Sequence, residues 1–313
     1  MIFKEDAFTF MNAAKKQLVG IIHSPEKMAT NIGLLIVVGG PQYRIGSHRQ
    51  YIHMARYCAK RGIPVMRFDY QGIGDSDGQF PGFENVSSDI HYAIDEFLKR
   101  EKTIKTIALW GACEGASSLL LGGTDHKSVS HIILVNPWVR SEAGQAKAYI
   151  KHYYLHRLKE ADFWRKIFSG KFKAQSALSH LVSNIKKSLS SPKTPSRPSD
   201  LASASPKGSQ PLFPERMLTS LQNFQGKALL LQSEHDFVAR EFDDLIVKDR
   251  KWRAAIAEKI SCRIDIAETD HTFSTEKWRI KAAENTAHWL LEKTTSKDKS
   301  SSNIEGNSKE IPQ

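Results

Sequence analysis

Short, almost continuous apolar runs separated by segments of helical spacing are what most constrain this chain. GLLIVVGG (33–40), IPVMRFDY (63–70), KTIALWG (105–111) and HIILVNPWV (131–139) each read as a buried strand. Between them, HRQYIHMARYCAKRG (48–62) carries Tyr51, Met54, Ala55 and Cys58 at helical spacing and stops at Gly62. NVSSDIHYAIDEFLKR (85–100) sets Ile90, Ala93, Ile94 and Phe97 on one face, and a further helix begins near Cys113. The pattern resumes with a strand in GKALLLQSEHD (226–236), a helix around 240–259, a strand in CRIDIAETD (262–270) and a helix in STEKWRIKAAENTAHWLLEK (274–293). Strands without polar alternation must be covered on both faces, so this order predicts an α/β fold, a mostly parallel sheet flanked by helices. No repeat of solenoid length is present.

The alternation breaks off after residue 140, which divides the chain into a core of 1–140 and 212–293 and an inserted helical lid over 141–185. From Arg140 to Lys173 nine Lys or Arg residues face three acids, a local balance of +6. Much of the net charge of +11 is therefore regional, and no nucleic-acid-binding motif accompanies it. Residues 186–211 are rich in Ser, Pro and Lys and nearly free of large apolar groups, so a disordered loop is expected there, as is a disordered tail over 294–313. No stretch has the length of a signal peptide or a membrane span, which predicts a cytoplasmic protein. Cys58, Cys113 and Cys262 are too few and too scattered for a disulfide framework or a zinc site, so reduced thiols and no metal are expected. GIGDSDG (72–78) lacks the glycine order of a dinucleotide loop, and no cofactor is predicted.

Chemistry concentrates at LWGACEG (109–115). Gly111, Cys113 and Gly115 fit a G-x-C-x-G form of the nucleophile elbow, between a strand and a helix. A nucleophile on so tight a turn brings its neighbours' backbones together, so the residues two before and two after must lack bulk; Ala116 also keeps the helix start thin. The helix that follows directs its N-terminal dipole at the turn and favours negative charge there. In this architecture an acid and then a histidine follow the nucleophile, each after a late strand. Asp236 and His271 hold those places, giving Cys113, Asp236 and His271 as the catalytic set. Glu234 and Asp270 remain alternative acids, with Asp270 better suited to forming a turn. His235 is expected to point away, and the other histidines to lie on helices, early loops or the insertion. Asp69 and Asp75 are expected to shape a loop. An oxyanion hole needs two donors. One is the Glu114 N–H, and the other comes from the loop after GLLIVVGG, where Pro41 has no N–H, so Gly40 is favoured with Gln42 next.

VVGGPQYRIGSHRQ, RFDYQGIGDSDG, GACEGAS, VNPWVRSEAGQAKAYIKHYY and AETDHTFS together resemble the α/β-hydrolase superfamily, and more closely the exosortase A system-associated hydrolases of type 1. The resemblance spans roughly residues 8–292. It implies an α/β-hydrolase fold with a lid after the strand ending at Trp138, a hydrolase linked to exopolysaccharide production, and a nucleophile, acid and histidine falling on Cys113, Asp236 and His271. The cysteine in place of serine is also similar to the dienelactone hydrolases, which use no cofactor. The expected reaction is cleavage of an acyl ester or thioester on a small molecule or carrier. The other reading is a silent α/β-hydrolase-fold protein that binds an envelope-biosynthesis partner. In the lid, Tyr149, Tyr153, Tyr154, Phe163 and Trp164 would line an acyl pocket, and the basic side would meet a membrane surface or another anionic partner.

Overall fold

A computed structural model describes residues 2–40, 42–139 and 212–298, with side chains to residue 292. The predicted lid and Ser/Pro/Lys loop, including its aromatic and basic residues, lie outside the described residues. Eight strands form one sheet: β1 (Phe3–Met11), β2 (Gln17–Pro25), β3 (Ile32–Val37), β4 (Val65–Phe68), β5 (Thr106–Ala112), β6 (Val129–Val135), β7 (Lys227–Ser233) and β8 (Ile260–Ile266). Their order is β1-β2-β4-β3-β5-β6-β7-β8. β2 runs antiparallel to both its neighbours and every other pairing is parallel. Every residue of β3 and β4 is buried, as the unbroken apolar runs require of strands covered on both faces.

Seven α-helices accompany the sheet among the described residues: α1 (Gln50–Lys60), α2 (Ser87–Arg100), α3 (Glu114–Gly122), α4 (Phe213–Asn223), α5 (Phe237–Lys248), α6 (Arg250–Lys259) and α7 (Glu276–Asp298). α1 packs with α7, and the buried Trp110 of β5 joins that layer through its indole N–H, which donates to Thr286 Oγ1 at 3.2 Å. α2, α3 and α4 pack together as another group. The described residues thus form an eight-stranded, mostly parallel sheet flanked by helices.

Several elements differ from the sequence reading. The β1–β2 hairpin was not expected; its turn places Lys15 at φ 55° and closes with the Asn12 N–H donating to Lys16 O at 3.0 Å. The single helix expected around 240–259 is two helices, because the Asp249 carboxylate accepts from Lys251 N at 2.7 Å and Trp252 N at 3.3 Å and starts α6 anew. α7 continues to Asp298, into the stretch expected to be tail. His23 and His131 are buried on β2 and β6 rather than lying on helices or loops. Burial first, then the Arg67 charge, pushes His23 down to about 4, so its neutral ring accepts from Arg67 Nε at 3.0 Å.

Beyond β6 the chain turns through Asn136 at φ 45°. Its buried amide bridges to β7, with Nδ2 donating to Ser233 Oγ at 3.0 Å and Oδ1 accepting from Ser233 N at 2.8 Å. Asn136→Ala leaves the Ser233 amide without this acceptor. The expected cost is about 2 kcal/mol of unfolding free energy, read from the urea midpoint of the full chain; an unchanged midpoint removes this bridge from the account of the β6–β7 junction.

Candidate active site

The carboxyl ends of β3, β5, β7 and β8 converge on Cys113. This residue caps α3 with φ 56° and ψ −123°, a left-handed backbone that only a tightly constrained turn imposes on a residue with a side chain. The constraint is visible at the glycines on either side. A β-carbon on Gly111 would stand 2.5 Å from the Gly115 carbonyl carbon, and one on Gly115 would stand 2.5 Å from Val37 O. Gly39 closes the third side, its would-be β-carbon 2.5 Å from Gly115 N. Cys113 N donates to Val135 O at 2.9 Å, which ties the turn to β6.

Asp236 and His271 are brought to the same place. Asp236 follows β7 and is almost fully buried; its Oδ1 accepts from Val238 N at 2.9 Å and so caps α5. Its Oδ2 lies 2.7 Å from His271 Nδ1, whose N–H donates to it. Hydrogen bonding to Asp236, then contact with the Cys113 side chain, pushes the imidazole up to about 10 against the opposing effect of burial. His271 sits in the loop after β8, where Thr269 O accepts from His235 N at 2.9 Å and Arg279 Nη1 donates to Ser274 O at 2.7 Å. The alternative acids are engaged elsewhere. Glu234 is exposed and accepts from Glu268 N at 2.8 Å, while Asp270 Oδ1 accepts from Thr272 N at 3.1 Å and Ser274 N at 3.0 Å, a turn-forming role. His235 is exposed.

The two expected oxyanion donors also lie beside Cys113. The Glu114 N–H is the first of α3 and has no acceptor within the helix. Gly40 takes φ 60°, and the Glu114 side chain folds against it, with Oε2 2.9 Å from the position of a would-be β-carbon on Gly40. The Gly40 N–H donates to that carboxylate, which partly offsets the upward push of burial on it. The Gln42 N–H turns back to Gly39 O at 3.4 Å, and Pro41 lies outside the described residues.

Sequence reading singled out Asp69 and Asp75 as loop-shaping residues but not the arginines they hold. Arg44 N donates to Asp69 Oδ1 at 2.6 Å, and its guanidinium pairs with Asp69 and, at 2.5 Å, with Asp75. The buried Arg67 donates from Nη1 to Arg44 O at 2.6 Å. Tyr51 is buried below the loop, hydrogen-bonded to the Gly39 backbone, and meets Trp110 edge-on at 5.8 Å. Asp69 shapes its own strand-to-helix loop as expected, accepting from Asp75 N at 3.3 Å and from Ser76 Oγ at 2.9 Å, and with Asp75 it also holds the loop that carries Gly40. An acid paired across the sheet to an arginine two dozen residues earlier leaves no local pattern in the sequence.

The arrangement as a whole is that of the α/β hydrolases. An esterase of Pyrococcus furiosus superposes with a TM-score of 0.58 at 11% identity, covering 93% of this chain and 91% of that one. A putative α/β hydrolase of unknown function from Agrobacterium tumefaciens does so with a TM-score of 0.56 at 13% identity, covering 93% and 97%. The esterase domain of a Rhodothermus marinus protein gives 0.54 at 13% identity, covering 92% and 99%. At such identities the likeness is one of fold. The family model described as serine aminopeptidase, S33, matches residues 44–244, and the chain belongs to that family. No curated protein matches it at the same stringency. No described helix is long and apolar enough to cross a membrane.

Two outcomes follow from this geometry. Gly111→Ala forces a β-carbon into the Gly115 backbone, so a loss of about 1–3 kcal/mol is expected from overpacking alone, read by chemical unfolding. His271 is held protonated by its partners, so its contribution to stability is complete below the ordinary value of 6.5 and is lost as pH rises through about 10. Proton NMR of the imidazole should show it titrating near 10, and in Asp236→Asn falling back toward 6.5; an unchanged titration would mean that Asp236 does not hold the ring.

Proposed function

We propose that the protein is a cysteine hydrolase that cleaves acyl esters or thioesters through Cys113, His271 and Asp236. The observation that carries this reading is the chain of contacts from the buried Asp236 carboxylate through His271 to a cysteine held at φ 56° on a glycine-flanked turn. The Cys113 sulfur attacks the acyl carbonyl carbon, and the oxyanion is received by the Glu114 and Gly40 N–H groups. The bond to the leaving oxygen or sulfur breaks, and the His271 imidazolium protonates the leaving group. Water then attacks the acyl-cysteine, giving its proton to His271; the bond between the acyl carbon and the Cys113 sulfur breaks, the carboxylic acid departs and the cysteine is regenerated.

A thiolate is a good nucleophile and also a good leaving group, so activated acyl groups are favoured over amides. Thioesters, lactones and carrier-bound acyl groups therefore rank first. The family description names a serine aminopeptidase, whereas the turn here carries cysteine. The motif resemblance to the exosortase A system-associated hydrolases supports a role in exopolysaccharide production, and the basic 141–185 stretch supports an anionic carrier or membrane surface as the partner.

Paired butyryl thioester and oxygen-ester probes test the reaction. Cys113→Ala should abolish turnover, His271→Ala should lower kcat/KM by about 10³-fold or more, and mass spectrometry should find the acyl group on Cys113. Cys58 serves as an internal control, since burial pushes its thiol up to about 12. If no probe turns over and alkylating reagents do not prefer Cys113 to Cys58 and Cys262, the second reading, a ligand-binding protein on a hydrolase fold, takes its place.

A further inference from the structure

The Glu114 side chain lies where a hydrolase of this design needs open space. Its backbone N–H and that of Gly40 are the two expected oxyanion donors, yet its own carboxylate folds onto Gly40 and accepts from the Gly40 N–H, with Oε2 2.9 Å from the position of a would-be β-carbon on Gly40. Gly40 can accept so close a neighbour because it has no side chain, and its φ of 60° is one that glycine adopts freely. The loop cannot simply retreat, since Arg44, Asp69 and Arg67 fasten it from behind. The carboxylate is half-buried, where the effective dielectric is low and a second negative charge is strongly repelled.

We infer that the Glu114 carboxylate is a resident occupant of the acyl-oxygen site and an electrostatic filter on what reaches Cys113. A substrate must displace it from the Gly40 N–H, and a neutral acyl carbonyl does so while an acyl group bearing its own anionic charge near the carbonyl is rejected. The substrate class is thereby narrowed to esters and thioesters of uncharged acyl chains, with any negative charge confined to the leaving-group side. Burial raises the Glu114 carboxyl, so the filter weakens as the group takes up a proton at acid pH. The inference rests on the reading of Cys113 as the nucleophile.

Alkylation of Cys113 in the full chain separates the two ideas, because it needs no substrate. The Cys113 sulfur displaces iodide from neutral iodoacetamide or from anionic iodoacetate, forming one S–C bond in each case. In the native protein iodoacetamide should react faster relative to free cysteine, and Glu114→Gln should raise the iodoacetate-to-iodoacetamide rate ratio by about tenfold. If that variant does not fold, the native protein alone suffices: the same ratio should climb as pH falls through the Glu114 titration, while His271, held up to about 10, keeps its charge. The butyryl probes should show KM lowered in Glu114→Gln. A ratio that is the same in both forms and flat with pH, at a Cys113 that still reacts selectively, overturns the filter and leaves the nucleophile standing. A Cys113 no more reactive than Cys262 overturns the nucleophile and the filter with it.

Discussion

Three backbones meet at one point, and most of the site follows from that contact. Gly39 at the end of the β3 segment, Gly111 near the end of β5 and Gly115 in the first turn of α3 approach so closely that a single β-carbon on any of them would overlap backbone atoms. With the strand and the helix pressed together, the residue between them has no extended or helical conformation left to adopt. Cys113 therefore takes φ 56° and is carried clear of the sheet. The same contact draws the Gly40 segment alongside the N-terminus of α3. The backbone of Cys113 and the approach of Gly40 to the helix N-terminus thus have one cause.

Such a strained turn persists only where the surroundings determine it from several sides. Cys113 N is tied to Val135 O, and Cys113 O accepts from Ala116 N at 3.0 Å. Around the neighbouring loop, Arg44 is held by two carboxylates, and Arg67 reaches it from a buried position on β4. Burying the Arg67 guanidinium, and partly burying that of Arg44, is costly unless each finds partners. Asp69 is the key partner because it receives both the backbone and the side chain of Arg44, and burial pushes its own carboxyl up despite them. The neutral His23 completes the set by taking Arg67 Nε, so the extra charge of a protonated ring is avoided.

What the sequence disclosed depended on how local the cause was. Buried parallel strands announce themselves as runs of Val, Ile and Leu, and β3 to β7 were readable for that reason. The elbow was readable because its steric demand falls two residues to either side of Cys113. Asp236 and His271 could be placed because each follows the end of a recognisable strand. The β1–β2 hairpin was missed because β1 is largely exposed and its apolar alternation is weak. Asp249 ended one helix and began another through its own side chain, a capping signal hidden within a continuous helical pattern. Tyr51 read only as one position of an apolar stripe, and Arg44 not at all, since their partners come from elsewhere in the chain. The return of the Glu114 side chain onto Gly40 belongs with these: nothing near residue 114 in sequence reveals it.

The protonation of His271 bears on why a cysteine suits this turn. A serine hydroxyl stays protonated until it attacks, so its histidine must begin as a neutral base. A thiol can give up its proton beforehand and rest as a thiolate beside an imidazolium. Asp236, and secondarily Cys113 itself, push His271 up to about 10, which keeps the ring charged across the physiological range. A ring so held is a poor base toward a hydroxyl and a good partner for a thiolate. On the proposed reading the same charged ring is placed to protonate a departing alkoxide or thiolate, the step at which a sulfur nucleophile needs help because the sulfur itself leaves easily.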